Sequence, residues 1–364
     1  MADRSPQSDT TAPTSRRKDA HLDLAASAQV EPEGSSTLLD DVHLVHDALP
    51  DLDLTDVSLD TPWMGKTLRA PLLITGMTGG SERAGAVNRD LAVAAERAGV
   101  ALGLGSQRAM AESDTWAASY QVRDVAPSVL LLGNVGLALA QKLGPRGCRA
   151  LMERVGADGL CLHLNPAQEL AQPEGDRDFR GGLATVRELV AELGDALVVK
   201  ETGCGLSPAV VRRLVGAGVR HLDVSGAGGT SWVRIEAMRA QGDEARLGEE
   251  LARWGIPTAA AVEGARRAAG DAATLVASGG IRTGLDAAKV LALGASVAGV
   301  ALPVFRAQQA GGAQGAERAL THLSAGLARV LLLTGSRNVA ELRARPRVLT
   351  GALKDWVAAL VREP

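Results

Sequence analysis

From residue 71 onward, short apolar runs that end in glycine or a polar side chain alternate with longer segments of helical period, almost to the C-terminus. The runs are PLLITGMT (71–78), ALGLGS (101–106), VLLLGN (129–134), GLCLHLN (159–165), ALVVKETG (196–203), HLDVSG (221–226), TLVASGG (274–280) and VAGVALP (297–303). Their apolar residues are consecutive rather than alternating, as in strands covered on both faces. The segments between them, such as AVNRDLAVAAERAG and PAVVRRLVGAG, close on glycine as helix C-caps do. Strands covered on both faces and joined by helices form a parallel sheet. Eight such units predict an α/β fold of the closed (β/α)8 TIM-barrel type ahead of an open, doubly wound sheet. The first strand-to-helix turn also lacks the G-x-G-x-x-G of a dinucleotide fold. About 47 residues separate the sixth and seventh runs, which predicts an insertion with extra helix near the barrel mouth. Residues 36–70 are placed across the other end.

Composition narrows the class. Only 2% of the 364 residues are aromatic, so the core is aliphatic. A formal charge of -3, with no basic block interleaved with aromatics, argues against a nucleic-acid partner. Cys148, Cys161 and Cys204 form an odd set without C-x-x-C spacing, which favours a reducing cytoplasm over a zinc site or disulfide framework. No apolar run approaches the roughly 18 residues of a membrane helix, and the N-terminus lacks the order of a signal peptide. Residues 1–15 are polar, proline-containing and aperiodic, and are predicted to be a disordered lead-in to a single domain over 16–364.

In such barrels the chemistry sits where the strands end. Here the runs close on Thr75, Met77, Thr78 and Gly79; on Ser106, Gln107 and Arg108; on Asn134; on His163, Asn165, Gln168 and Glu169; on Lys200 and Glu201; on Ser225 and Gly226; and on Gly279, Gly280 and Arg282. Any one of these is ordinary for a strand end meeting water, but a full set facing one mouth is not. The stretch ASGGIRTGLDAAKVLALGA (277–295) brings Gly279, Gly280, Ile281, Arg282 and a helix N-terminus to one spot, a site for an anion. SGAGGTSW adds Ser225, Thr230 and a second glycine turn, so the two turns together favour a cofactor with a phosphate tail. Lys200 closes an apolar strand and calls for an anionic partner. A flavin ring answers that need, and a Schiff-base lysine is the competing reading. HLNPAQE offers neutral donors and one carboxylate, suited to a phosphorylated substrate and Mg²⁺. Upstream, SRRKDAHLDLA carries Arg16, Arg17, Lys18 and His21, either a solvated basic run or a cationic clamp.

These motifs, RKDAHL, MTGG, GSQR, GN, HLNPAQE, VVKETG, SGAGGTSW, SGGIRTG, ALP and LTGSRNVAEL, resemble in order and type the flavin-dependent type 2 isopentenyl diphosphate isomerases. The resemblance covers about nine tenths of the chain. It implies FMN held by Met77, Thr78, Gly79, Ser106, Asn134, Lys200, Ser225, Thr230, Gly280, Ile281, Arg282, Ala301 and Leu302. It implies a diphosphate substrate met by Arg17, Lys18, His21, Ser106, Gln107, Arg108, His163, Asn165 and Gln168, with Mg²⁺ on Glu169. It further implies isomerisation by reduced flavin as acid–base catalyst, supported by Gln168, Lys200 and His163, with NADPH as reductant and a homo-oligomer, tetramer or octamer. Two rivals are an FMN-dependent 2-hydroxy acid oxidase or dehydrogenase and a non-catalytic phosphate-ligand-binding barrel. The oxidase chemistry asks for a histidine base and an arginine around the sixth strand, and DVSGAGGTSW has neither.

Overall fold

The computed structural model describes residues 13–27 and 30–361. Eight parallel strands close a barrel in chain order: Leu72–Ile74, Ala101–Gly103, Leu131–Gly136, Gly159–Leu164, Leu197–Glu201, His221–Asp223, Thr274–Ala277 and Val297–Val300. Each lies inside, or within two residues of, a run read from the sequence. The eighth strand pairs with the first, Ala298 opposite Leu72 and Val300 opposite Ile74, which closes the sheet and leaves no edge. Small and branched aliphatic side chains dominate these strands because the barrel interior is packed rather than open.

The N-terminal end is plugged by an antiparallel hairpin, Thr61–Trp63 with Lys66–Leu68. Its two-residue turn, Met64 and Gly65, has φ of 47° and 76°, the pair of positive values a tight hairpin of this hand requires. Trp63 and Leu68 pack into a layer with Leu73, Ala101, Leu132, Val198, Val276 and Val297. Trp63 Nε1 donates to His221 Nδ1 at 3.4 Å, so the indole is seated by a polar contact as well as by burial.

At the opposite, C-terminal end the long sixth connection contributes two extra helices, Trp232–Arg239 and Gly242–Glu250, before the regular barrel helix Thr258–Ala269. A further helix, Pro13–Ser27, precedes the barrel and packs near the same mouth. Residues 13–15, expected in the disordered lead-in, therefore belong to this helix, and residues 1–12 lie outside the described residues. The helix forms because Leu22 and Ala25 supply an apolar stripe at helical spacing, and both are buried. No helix among the described residues is long and apolar enough to cross a membrane.

Candidate active site

Two cavities share the mouth of the barrel, one of about 270 Å³ and one of about 80 Å³. Gly76, Met77, Lys200, Thr202 and Trp232 line both, so the two are adjoining compartments with Lys200 on their boundary.

The larger compartment is walled by Arg17, Lys18 and His21 from the N-terminal helix, Ser106 and Arg108 after the second strand, Asn134 on the third, and His163, Asn165, Gln168 and Glu169 at the end of the fourth. Helical spacing puts Arg17 and Lys18 four and three residues before His21, so all three reach one face. Lys18 and His21 are buried. Burial first, then the positive charges of Arg17 and Arg108, lowers the Lys18 ammonium to about 8, with Glu236 pulling the other way. Burial likewise lowers His21 against the opposing pull of Glu236.

His163 is held neutral. Burial, with Lys200, Lys18 and Arg108 around it, drives its pKa down to about 3. Asn134 Nδ2 donates to Leu104 O at 3.0 Å, which turns Asn134 Oδ1 toward His163 Nδ1, 2.8 Å away. The imidazole therefore carries its proton on Nδ1 and presents Nε2 as an acceptor.

The short helix Pro166–Ala171 begins with proline at its first position, a natural start that fixes where Gln168 and Glu169 point. Asn165 Nδ2 donates to Gln168 Oε1 at 3.2 Å and to Glu169 Oε1 at 2.9 Å. The two side chains then diverge. Gln168 Nε2 donates to Glu236 Oε1 at 3.1 Å, while Glu169 Oε2 accepts from Asp176 N at 2.8 Å.

Glu236 and Trp232, on the first inserted helix, were not singled out in the sequence. Trp232 lines both compartments and meets the His21 ring edge-on, centroids 5.4 Å apart. Glu236 is fully buried, 3.1 Å from His21 Nε2, and is bonded to Gln168 and Arg239. Burial alone would raise its carboxyl, but His21, Arg239 and Gln168 hold it down at about 2. The available signal was the four-residue spacing of Trp232 and Glu236 on one helical face, which does not by itself say which face meets the mouth.

The smaller compartment is lined by Ser225, Thr230, Gly280, Ile281, Arg282, Ala301 and Leu302. Its two glycine turns interlock: a Cβ on Gly229 would fall 2.3 Å from Gly280 N, and Gly279 and Gly280 have φ of +101° and +74°. Thr258 Oγ1 ties the turns together, donating toward Gly279 O at 2.6 Å and Ala227 O at 3.1 Å. Ser225 adopts φ 41°, unusual for a residue with a Cβ and frequent at binding sites. Its conformation is fixed by Asp223 Oδ1, which accepts from Ser225 N at 3.2 Å and from Ser278 Oγ at 2.7 Å. Burial raises the Asp223 carboxyl, and the Lys200 charge opposes that.

Three of the expected residues lie outside the two compartments. Gln107 reaches neither compartment: its amide is spent on the backbone, Nε2 to Leu151 O at 2.9 Å and Oε1 from Asn134 N at 2.8 Å. Thr78 and Gly79 also lie behind the wall, with Thr78 O accepting from Gly105 N at 3.0 Å and Gly79 packed on the Tyr120 ring. The helix Gly284–Ala292 does not offer all its first N–H groups to an anion. Arg282 N and Thr283 N donate to Asp286 Oδ2, and Asp286 N to Thr283 Oγ1, in a capping box.

The fit to a flavin mononucleotide can be judged from these features. Lys200 is 9% exposed, with Nζ donating to Glu201 O at 2.7 Å, and it gives the boundary of the two compartments a cation of the kind an anionic ring calls for. The glycine turns, Ser225, Thr230 and the start of the helix Leu302–Leu333 provide donors and close backbone approach for a phosphate. The residues fit the group. The half-buried Cys204 is near this loop, and burial and Glu201 push its thiol up to about 12, which disfavours the thiolate.

Residues 175–349 match the FMN-dependent dehydrogenase family. An isopentenyl-diphosphate delta-isomerase of Aeropyrum pernix is 42% identical over 97% of this chain and 95% of its own length. One of Synechococcus sp. is 45% identical over 92% of this chain and 96% of its own. The chain belongs to the isopentenyl-diphosphate delta-isomerase family. Its fold is also that of a mandelate oxidase with a monooxide FMN adduct, TM-score 0.64 at 19% identity over 91% of this chain and 92% of that one. A flavocytochrome b2 with benzoylformate superposes with TM-score 0.67 at 18% identity, over 88% and 79%. At those identities the likeness is one of fold, shared by isomerase and oxidase alike.

Proposed function

We propose that this protein interconverts isopentenyl and dimethylallyl diphosphate on reduced FMN. The observation that carries the reading is the pair of adjoining compartments: a cation-walled one whose histidine is held neutral, beside a glycine-turn one with Lys200 between them. Arg17, Lys18 and Arg108 bind the diphosphate of the substrate and so place its alkene end toward the boundary, which is catalysis by positioning. His163, neutral with Nδ1–H fixed by Asn134, accepts a hydrogen bond without adding a charge that would oppose a carbocation. Gln168, held by Asn165 and Glu236, shapes the alkene end. Met77, Lys200, Ser225, Thr230, Gly280, Ile281, Arg282, Ala301 and Leu302 hold the FMN. When bound and reduced, the flavin supplies proton exchange with the alkene and an electron-rich face beside it. Trp232 lines both compartments and adds an apolar wall to each.

Glu169 is the Mg²⁺ ligand in this reading. Among the described residues no group of three His, Cys, Asp or Glu side chains could cage a metal. One carboxylate plus substrate phosphate oxygens and water is a common way of binding Mg²⁺, and Glu169 on the cavity wall fits it. NADPH acts as the reductant, and the protein works in the cytoplasm as a homo-oligomer, tetramer or octamer. The test is an absorption spectrum of the purified protein, then conversion of isopentenyl diphosphate with dithionite or NADPH. A flavin spectrum and turnover without stoichiometric reductant consumption support the proposal; NADPH oxidised one-for-one with product would overturn it.

A further inference from the structure

Part of the chain between the N-terminal helix and the first barrel strand lies across the two glycine turns of the smaller compartment. Ser231 N donates to Val30 O and Ala259 N to Thr37 O, each at 2.9 Å, so residues 30–37 are pinned at both ends. At the second pin the approach is close. A Cβ on Gly228 would fall 2.2 Å from Thr37 N, and one on Gly280 2.4 Å from Thr37 Cγ2. From this strap Glu31 Oε1 reaches Arg282 Nη2 at 2.8 Å. The same guanidinium donates to Gly280 O at 2.7 Å and Gly228 O at 3.1 Å. Glu31 is the one carboxylate among the described residues lining this compartment, and Arg282 and Lys200 are its two cations.

We propose that Glu31 is an internal counter-anion to Arg282 that competes with the phosphate of FMN, so that this carboxylate tunes the preference for FMN over unphosphorylated flavin. The inference rests on the reading of the smaller compartment as the phosphate end of the flavin site. A phosphate monoester carries close to two negative charges at neutral pH and bonds a guanidinium as a carboxylate does. Two anions on one guanidinium repel, so either the carboxylate withdraws or the phosphate binds against it. Glu31 and Arg282 side chains are 32% and 42% exposed. Solvent screening therefore keeps the competition modest, and Glu31→Gln is expected to tighten FMN about two- to fivefold.

The experiment titrates flavin-free, full-length protein with FMN and with riboflavin, following flavin fluorescence, for wild type, Glu31→Gln and Arg282→Gln. Expected are tighter FMN and unchanged riboflavin for Glu31→Gln, with the gain shrinking as salt is raised, and selectively weaker FMN for Arg282→Gln. Unchanged or weaker FMN in Glu31→Gln, while Arg282→Gln still loses FMN selectively, overturns the role of Glu31 alone. Equal tightening of both flavins points to a loosened strap and overturns it too. An unchanged FMN-to-riboflavin ratio in Arg282→Gln removes the phosphate from this turn, and the proposal with it.

Discussion

If Lys18 meets the substrate's diphosphate as proposed, binding should depend on pH in a window where few side chains titrate. The Lys18 ammonium is held at about 8 rather than 10.5 by burial and by Arg17 and Arg108. Between those values the unfolded chain binds more protons than the native one, so this group makes the fold more stable as pH rises through the window. For binding the sign reverses. A diphosphate favours the charged ammonium, so binding above pH 8 takes up a proton. If the bound value exceeds 10, affinity is flat below pH 8 and falls about tenfold per unit above it, reaching a loss of about tenfold, or about 1.4 kcal/mol, near pH 9. Calorimetry of isopentenyl diphosphate binding to oxidised protein, in two buffers of different ionisation enthalpy, measures both the affinity and the proton, because this monoester is already fully ionised at about pH 7.5. Lys18→Arg stays charged and should be flat from about pH 7.5 to 9.5, and Lys18→Met should be flat and weak. Equal wild-type affinity at pH 7.5 and 9, or the same fall in Lys18→Met, would refute the reasoning.

Glu169→Gln should shift the Mg²⁺ dependence of turnover to higher concentration, whereas Gln168→Ala should lower turnover at every Mg²⁺ concentration; coincident Mg²⁺ titrations for wild type and Glu169→Gln would remove the metal from Glu169. The Glu236 carboxyl, depressed to about 2 from 4.5, contributes stability that is complete above pH 4.5 and is lost as pH falls through 2. Glu236→Gln should therefore flatten the acid limb of denaturant-measured stability in that range, and an unaltered limb would argue against it. Trp63→Ala empties the plug beneath the barrel and should cost about 3–5 kcal/mol in urea unfolding, while a loss under about 1 kcal/mol would mean that the hairpin is not part of the core.

The barrel was legible because its strands are near-unbroken aliphatic runs closed by glycine, and packing inside a barrel permits little else. The polar ends of the fourth and fifth strands were legible for the same reason, since Lys200 and the HLNPAQE cluster interrupt apolar surroundings. Gln107 was not. Flanked by Ser106 and Arg108, which do line the larger compartment, it turns inward to satisfy backbone groups, and only the path of the neighbouring strand decides that. Glu236 and Glu31 were hidden differently. Each is an ordinary acidic residue in a connection, and each acquires its role from a partner far along the chain, His21 for one and Arg282 for the other. Arg282 itself was identified, but sequence gives no hint that it already has a carboxylate partner.

The docking of His21 and Lys18 near Glu236 also orders events during synthesis. The N-terminal helix leaves the ribosome early, yet Glu236 follows roughly two hundred residues later, on the order of ten to forty seconds at 5–20 residues per second. Through that interval the first six strands can pair, and the cationic wall of the larger compartment can meet the ends of the second to fourth strands but not its buried carboxylate. A chain arrested before the inserted helices would hold its earlier strands and its basic arm without the carboxylate that meets His21 or the indole that packs on it. The completed wall of the larger compartment therefore arises late in translation, from an early segment meeting one of the later ones.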